Sequence, residues 1–66
     1  MINKVQFFVK ALPHKRYHLY IKDLNDNFIF ICTHADFSAL GLNIKNFDDM
    51  QEGQLREVYL NLDKKT

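Results

Sequence analysis

With 66 residues the chain has room for one small domain, 1–66, and a domain of that size removes only roughly 60% of its unfolded surface on folding. Six Phe and three Tyr enlarge so thin a core, because each ring buries about 150–250 Å², and the single cysteine, Cys32, excludes an internal disulfide. Neither a run of about 20 apolar residues nor a signal-peptide pattern stands in the sequence, which reads as a reducing, cytoplasmic setting with no membrane partner.

The net charge of +1 divides unevenly. Residues 1–22 hold Lys4, Lys10, Lys15, Arg16 and Lys22 and no acid, which makes +5, and the remainder sums to −4. Such a division predicts either mutual screening between the two portions or a dipolar surface that steers a charged partner.

Residues 5–12 alternate as a strand, with Val5, Phe7, Val9 and Ala11 on one face and Gln6, Phe8, Lys10 and Leu12 on the other. Phe8 and Leu12 make that second face less polar than a solvated one, so it is either partly covered or a contact surface. Pro13 ends the strand, and His14, Lys15 and Arg16 follow as a basic corner. The next strand, 17–23, sends Tyr17, Leu19 and Ile21 to one side and His18, Tyr20 and Lys22 to the other. Asn25, Asp26 and Asn27 favour a turn, and a hairpin returns through 28–33. That return strand is apolar at nearly every position, the pattern of a central strand covered on both faces.

Thr33, three residues before Asp36, is the signal for a helix start. Phe37, Leu40, Ile44 and Phe47 recur at helical spacing. Gly41 divides the reading: the helix either continues through it or stops there on a left-handed cap, leaving 42–44 extended. Residues 46–53 read as a loop or single turn between Asn46 and Gly53. A last strand, 55–62, turns Val58, Leu60 and Leu62 to the core and Glu57 and Tyr59 outward. The expected fold is α+β: a small antiparallel sheet of three to four strands with one short helix on one face, in ββ-β-α-β order.

Chemistry is sparse. Cys32 and His34, with His18 on the neighbouring strand, form only one close pair, too few for the usual zinc spacing. Cys32 and Ser38 lack the base and the elbow that would make either a nucleophile. Basic and aromatic residues do mix, since His14, Lys15, Arg16 and Lys22 lie near Phe8, Tyr17 and Tyr20, a combination suited to stacking bases and neutralising phosphates.

Two families share patterns with the chain. Asp36, Ser38 and Gly41 fit D-x-S-x-x-G, and Glu52-Gly53 precedes a hydrophobic strand, as in PilZ domains, the cyclic di-GMP receptors; the resemblance implies guanine contacts from Asp36 and Ser38, although the family's R-x-x-x-R motif is absent. Residues 17–66 resemble the small uracil-DNA glycosylase inhibitors of Bacillus phages. They share a hairpin with an acidic turn, an aromatic return strand, a helix opening at Asp36-Phe37 and carrying Leu40, and a last strand closing on Leu62, Asp63 and Lys64. That resemblance implies a pocket wall at Phe37 and Leu40 and a charged rim at Asp36.

The sequence therefore leads to the expectation of a non-catalytic, homodimeric phage-type inhibitor. It would block a host defence or DNA-processing enzyme through protein contacts from Asp36, Phe37, Leu40, Asp48, Asp49 and Glu52, with neither cofactor nor metal. The alternative is a nucleotide or single-stranded nucleic-acid module contacting its ligand through Lys15, Arg16, Tyr17, Tyr20 and Ser38.

Overall fold

Side-chain alternation in the first two strands sets the architecture, and the rest of the chain packs on the face it makes apolar. The computed structural model describes residues 4–61. In it β1 (Lys4–Leu12), β2 (Arg16–Lys22), β3 (Phe28–Thr33) and β4 (Leu55–Asn61) form one antiparallel sheet in the order β3-β2-β1-β4. Leu62, expected at the end of the last strand, lies outside the described residues.

β1 and β2 are the central strands. Pro13 ends β1 as anticipated, and the turn that follows holds His14 at φ 66° and Lys15 at φ 57°. Two successive left-handed residues suit a tight hairpin, because their twist matches that of the flanking strands. They also push both basic side chains outward at the tip.

β3 is an edge strand, not the central one its composition suggested: Phe28, Ile29, Phe30 and Ile31 are each 44–50% exposed. An unbroken apolar run is also what results when a strand turns one apolar row to the core and another to an uncovered face. Its pairing with β2 matches Phe28 to Lys22, Ile29 to Ile21 and Phe30 to Tyr20, then steps over Ile31 to match Cys32 to Leu19.

The sheet of the expected α+β fold is present, but the single helix is not. Residues 34–47 form three short 3-10 turns, His34–Asp36, Ser38–Leu40 and Ile44–Phe47, so the molecule is mostly β. Thr33 caps as anticipated, its Oγ1 accepting the Ala35 N–H at 3.3 Å. Gly41 is what stops propagation. At φ 83° it is left-handed, its N–H donates to the Ser38 carbonyl and the Leu42 N–H reaches back to the Phe37 carbonyl at 2.9 Å. This paired closure terminates a helical segment. Asn43 then lies extended and its Oδ1 accepts the Lys45 N–H at 3.0 Å, opening the third turn.

These turns lay Phe37 and Phe47 over Phe7, Val9, Ala11, Tyr17, Leu19 and Leu60, with Leu42, Met50, Cys32 and Val58 packed at the margin. Val9, Leu19 and Phe37 have no exposed surface. The Tyr17 hydroxyl donates to the Phe47 carbonyl at 3.1 Å, and the Tyr17 main-chain N–H donates to Nδ1 of His34 at 3.3 Å. One tyrosine thus ties the covering segment to the sheet. Gly53, left-handed at φ 89°, closes the segment by donating to the Ala11 carbonyl at 2.8 Å, and β4 begins.

Candidate functional site

Strand register sorts every side chain to one of two faces. Phe8 pairs with Tyr20, Lys10 with His18 and Leu12 with Arg16. Phe28 pairs with Lys22, and Phe30 with Tyr20. On the far side Gln6 faces Tyr59, Phe8 faces Glu57 and Lys10 faces Leu55. These residues share the face opposite Val9, Leu19 and the covering turns, and no other element among the described residues packs upon it.

The uncovered face is aromatic at its centre. Phe8 and Phe28 meet edge to face with centroids 5.3 Å apart. Tyr20 stands 5.9 Å from Phe28 and from Phe30, and His18 stands 5.0 Å from Phe30. Phe8 is buried beneath its neighbours, whereas Phe28, Phe30, Leu55 and Tyr59 are 45–57% exposed. An exposed apolar group of this kind marks a contact surface more often than isolated surface hydrophobes do. Beside the rings, Lys10, Tyr20, Phe28, Gly53 and Leu55 line an open depression of about 230 Å³.

The same face is basic. The register brings Lys4, Lys10, Arg16 and Lys22 to it, and among the described residues Glu57 is its one acid. The Lys22 ammonium lies 5.3 Å from the centroid of Phe8 and 5.2 Å from that of Phe28, the range of a cation–π contact. Those rings hold a positive charge at the middle of the aromatic surface.

Of the residues expected to bind a nucleic acid, Tyr20 lies on this face and Arg16 at its margin, where Nε donates to the Pro13 carbonyl at 3.3 Å. Lys15 stands at the adjoining hairpin tip. Tyr17 does not join them: it is 2% exposed and points into the core, as the alternation along β2 requires. Ser38 lies in the covering segment on the other side of the sheet. Phe28, Phe30 and Lys22 complete the cluster, and the signal for them was the even-numbered row of β2 continued across the hairpin.

The residues expected to contact a protein are dispersed. Phe37 has no exposed surface and belongs to the core, which removes it from any pocket wall. Leu40 is 41% exposed, and Asp36 is exposed near the first turn's end. Asp49 Oδ2 pairs with Arg56 at 3.0 Å while the other guanidinium nitrogen donates to the Asn46 carbonyl at 2.7 Å. Arg56 thereby clamps the loop to β4, and its hydrogen bond holds the Asp49 carboxyl below the usual range. Asp48 and Glu52 line a second cleft together with His14 and Lys15.

Burial, with the Asp36 carboxylate as a lesser cause, pushes the Cys32 thiol up, away from the thiolate a nucleophile needs. Among the described residues no three His, Cys, Asp or Glu side chains gather to hold a metal, and no helix is long and apolar enough to cross a membrane.

Set against known proteins, the chain matched no family model, no curated protein and no solved structure.

Proposed function

We propose that the protein binds single-stranded nucleic acid on the uncovered face of its sheet, bases stacking on Phe28, Phe30 and Tyr20 and phosphates meeting Lys22, Lys10 and Arg16. One observation carries the reading: among the described residues the register gathers half-exposed rings and four bases, against one acid, on the same uncovered surface. Rings accept any base, since every base has a stacking face, and the lysines neutralise the backbone without reading sequence. Binding is therefore tolerant of sequence and sensitive to salt.

Titration of a fluorescent oligothymidylate, followed by anisotropy, tests this. Phe28→Ala and Phe30→Ala each weaken binding by about 5- to 150-fold, the equivalent of ~1–3 kcal/mol for a stacked base. Lys22→Ala lowers the slope of log K against log salt by roughly 0.7. Both aromatics are surface residues, so circular dichroism of the variants should match the parent. Absence of binding at low salt, or equal binding by Phe30→Ala, sinks the reading.

A second reading is inhibition of a nucleic-acid-processing enzyme by protein contact. Its support is the exposed acids Asp36, Asp48 and Glu52 and the apolar Leu40, all on the covering segment. Capture of a stoichiometric enzyme partner, lost with Asp48→Asn and Glu52→Gln and retained with Phe30→Ala, would favour it over the first.

A further inference from the structure

The two edges of the sheet are unlike. β4 carries Arg56 and Glu57, and Arg56 is clamped to Asp49 and Asn46. Charges of this kind discourage pairing with another strand. β3 carries no charge from Phe28 to Thr33. It also directs main-chain groups outward. The Asp23 N–H donates to the Asn27 carbonyl at 3.0 Å, which makes those opposed residues a hydrogen-bonded pair. By the alternation of antiparallel ladders, Lys22–Phe28 and Tyr20–Phe30 are then non-bonded pairs. The N–H and C=O of Phe28 and Phe30 therefore face away from β2, toward the free edge.

We propose that two copies of this chain join through β3, antiparallel about a two-fold axis, so that their sheets continue as one of eight strands with both aromatic faces on the same side. The occupant is a second copy because an uncharged strand offers nothing to select a charged peptide, whereas an identical strand supplies matching outward groups with no like charges opposed. Two-fold closure also uses up the unguarded edge and leaves only the charged β4 edges outside.

The apolar surface is sufficient for a weak dimer. Phe28, Ile29, Phe30 and Ile31 at 44–50% exposure and Leu24, fully exposed in the adjoining turn, leave on the order of 500 Å² per copy, given about 150–250 Å² for a ring. That upper limit on what the edge can bury lies below the roughly 800 Å² per partner of a standard interface. Association is therefore concentration dependent. Its main-chain hydrogen bonds use the strand edge, while the Phe28 and Phe30 rings border both that edge and the aromatic face.

Sedimentation equilibrium of the full chain from micromolar to millimolar concentration, with amide hydrogen exchange at both ends of that range, provides the test. The mass doubles, and the Phe28 and Phe30 amides, fast in dilute solution, become protected. Ile31→Lys and Ile31→Glu each stay monomeric, and an equimolar mixture of the two restores the doubled mass, because near the centre of a two-fold strand pair opposite charges replace like ones. A constant monomer mass with fast exchange at both amides overturns the proposal and leaves the edge to another occupant. A doubled mass that Ile31→Lys does not change overturns it as well, by moving the interface elsewhere.

Discussion

Tyr17 shows how much one side chain decides. Its ring fills the core against Phe47 with centroids 5.8 Å apart, its hydroxyl satisfies the Phe47 carbonyl and its amide engages His34. Tyr17→Phe keeps the ring and strands the carbonyl, so it should lower unfolding free energy by about 1–2 kcal/mol in urea denaturation. Oligonucleotide affinity should stay unchanged. A variant as stable as the parent would mean that the buried hydroxyl contributes nothing net. The period of two along β2 already separates Tyr17 from Tyr20, so this part of the site was legible in the sequence. Grouping them as common ligand contacts ignored that period in favour of nearness along the chain. What no local pattern could give was the acceptor, a carbonyl thirty residues on.

Among the elements, the hairpin turn before β3 is held by a single carboxylate. Asp23 Oδ1 accepts the N–H groups of Asn25 and Asn27 at 2.8 and 2.9 Å, with Asp26 left-handed at φ 65°. The Asn27 N–H, aided by that of Asn25, holds the Asp23 carboxyl below its ordinary value of 3.8. A carboxylate whose folded value is depressed stabilises the fold above the unfolded value and loses that contribution as pH falls through the folded one. The Asp23 carboxyl resonance should accordingly titrate below 3.8 in NMR spectra, with the Asn25 and Asn27 amides shifting in step. Asp23→Asn, which keeps an acceptor and removes the charge, should abolish that pH dependence. A midpoint at the ordinary value would show that the turn exerts no hold. The strands and this turn were readable from alternation and from Asx residues. The helix was not, because Phe37, Leu40, Ile44 and Phe47 repeat at helical intervals although Gly41 and Asn43 divide them among separate turns. β3 misled for a related reason: composition reports that a strand is apolar, not whether anything lies over it.

For the whole molecule, the division of charge along the chain becomes a division between the sheet's two sides. Lys4, Lys10, Arg16 and Lys22 share the uncovered face, and Asp36, Asp48, Asp49 and Glu52 belong to the segment that covers the other. Such a dipole orients an approaching polyanion before contact. The association rate with a single-stranded oligonucleotide should therefore fall with ionic strength, over a Debye length that shrinks from about 30 Å at 0.01 M to 10 Å at 0.1 M salt. Stopped-flow mixing measures it. Glu57→Gln, which removes an acid from the binding side, should raise the rate, and Asp48→Asn, on the far side, should alter it less. Equal rates at all salt concentrations would remove steering from the account.

Ile31, which the pairing of β3 passes over, determines more than its own position. Up to Phe30 the even-numbered residues look outward, and beyond Ile31 Cys32 looks inward, so this one insertion reverses the strand's parity. Were Ile31 to enter the ladder opposite Leu19 instead of being passed over, Cys32 would fall opposite His18. That would turn the thiol to the uncovered face and carry the Thr33 cap off its seat, making the covering turns hostage to a count of one.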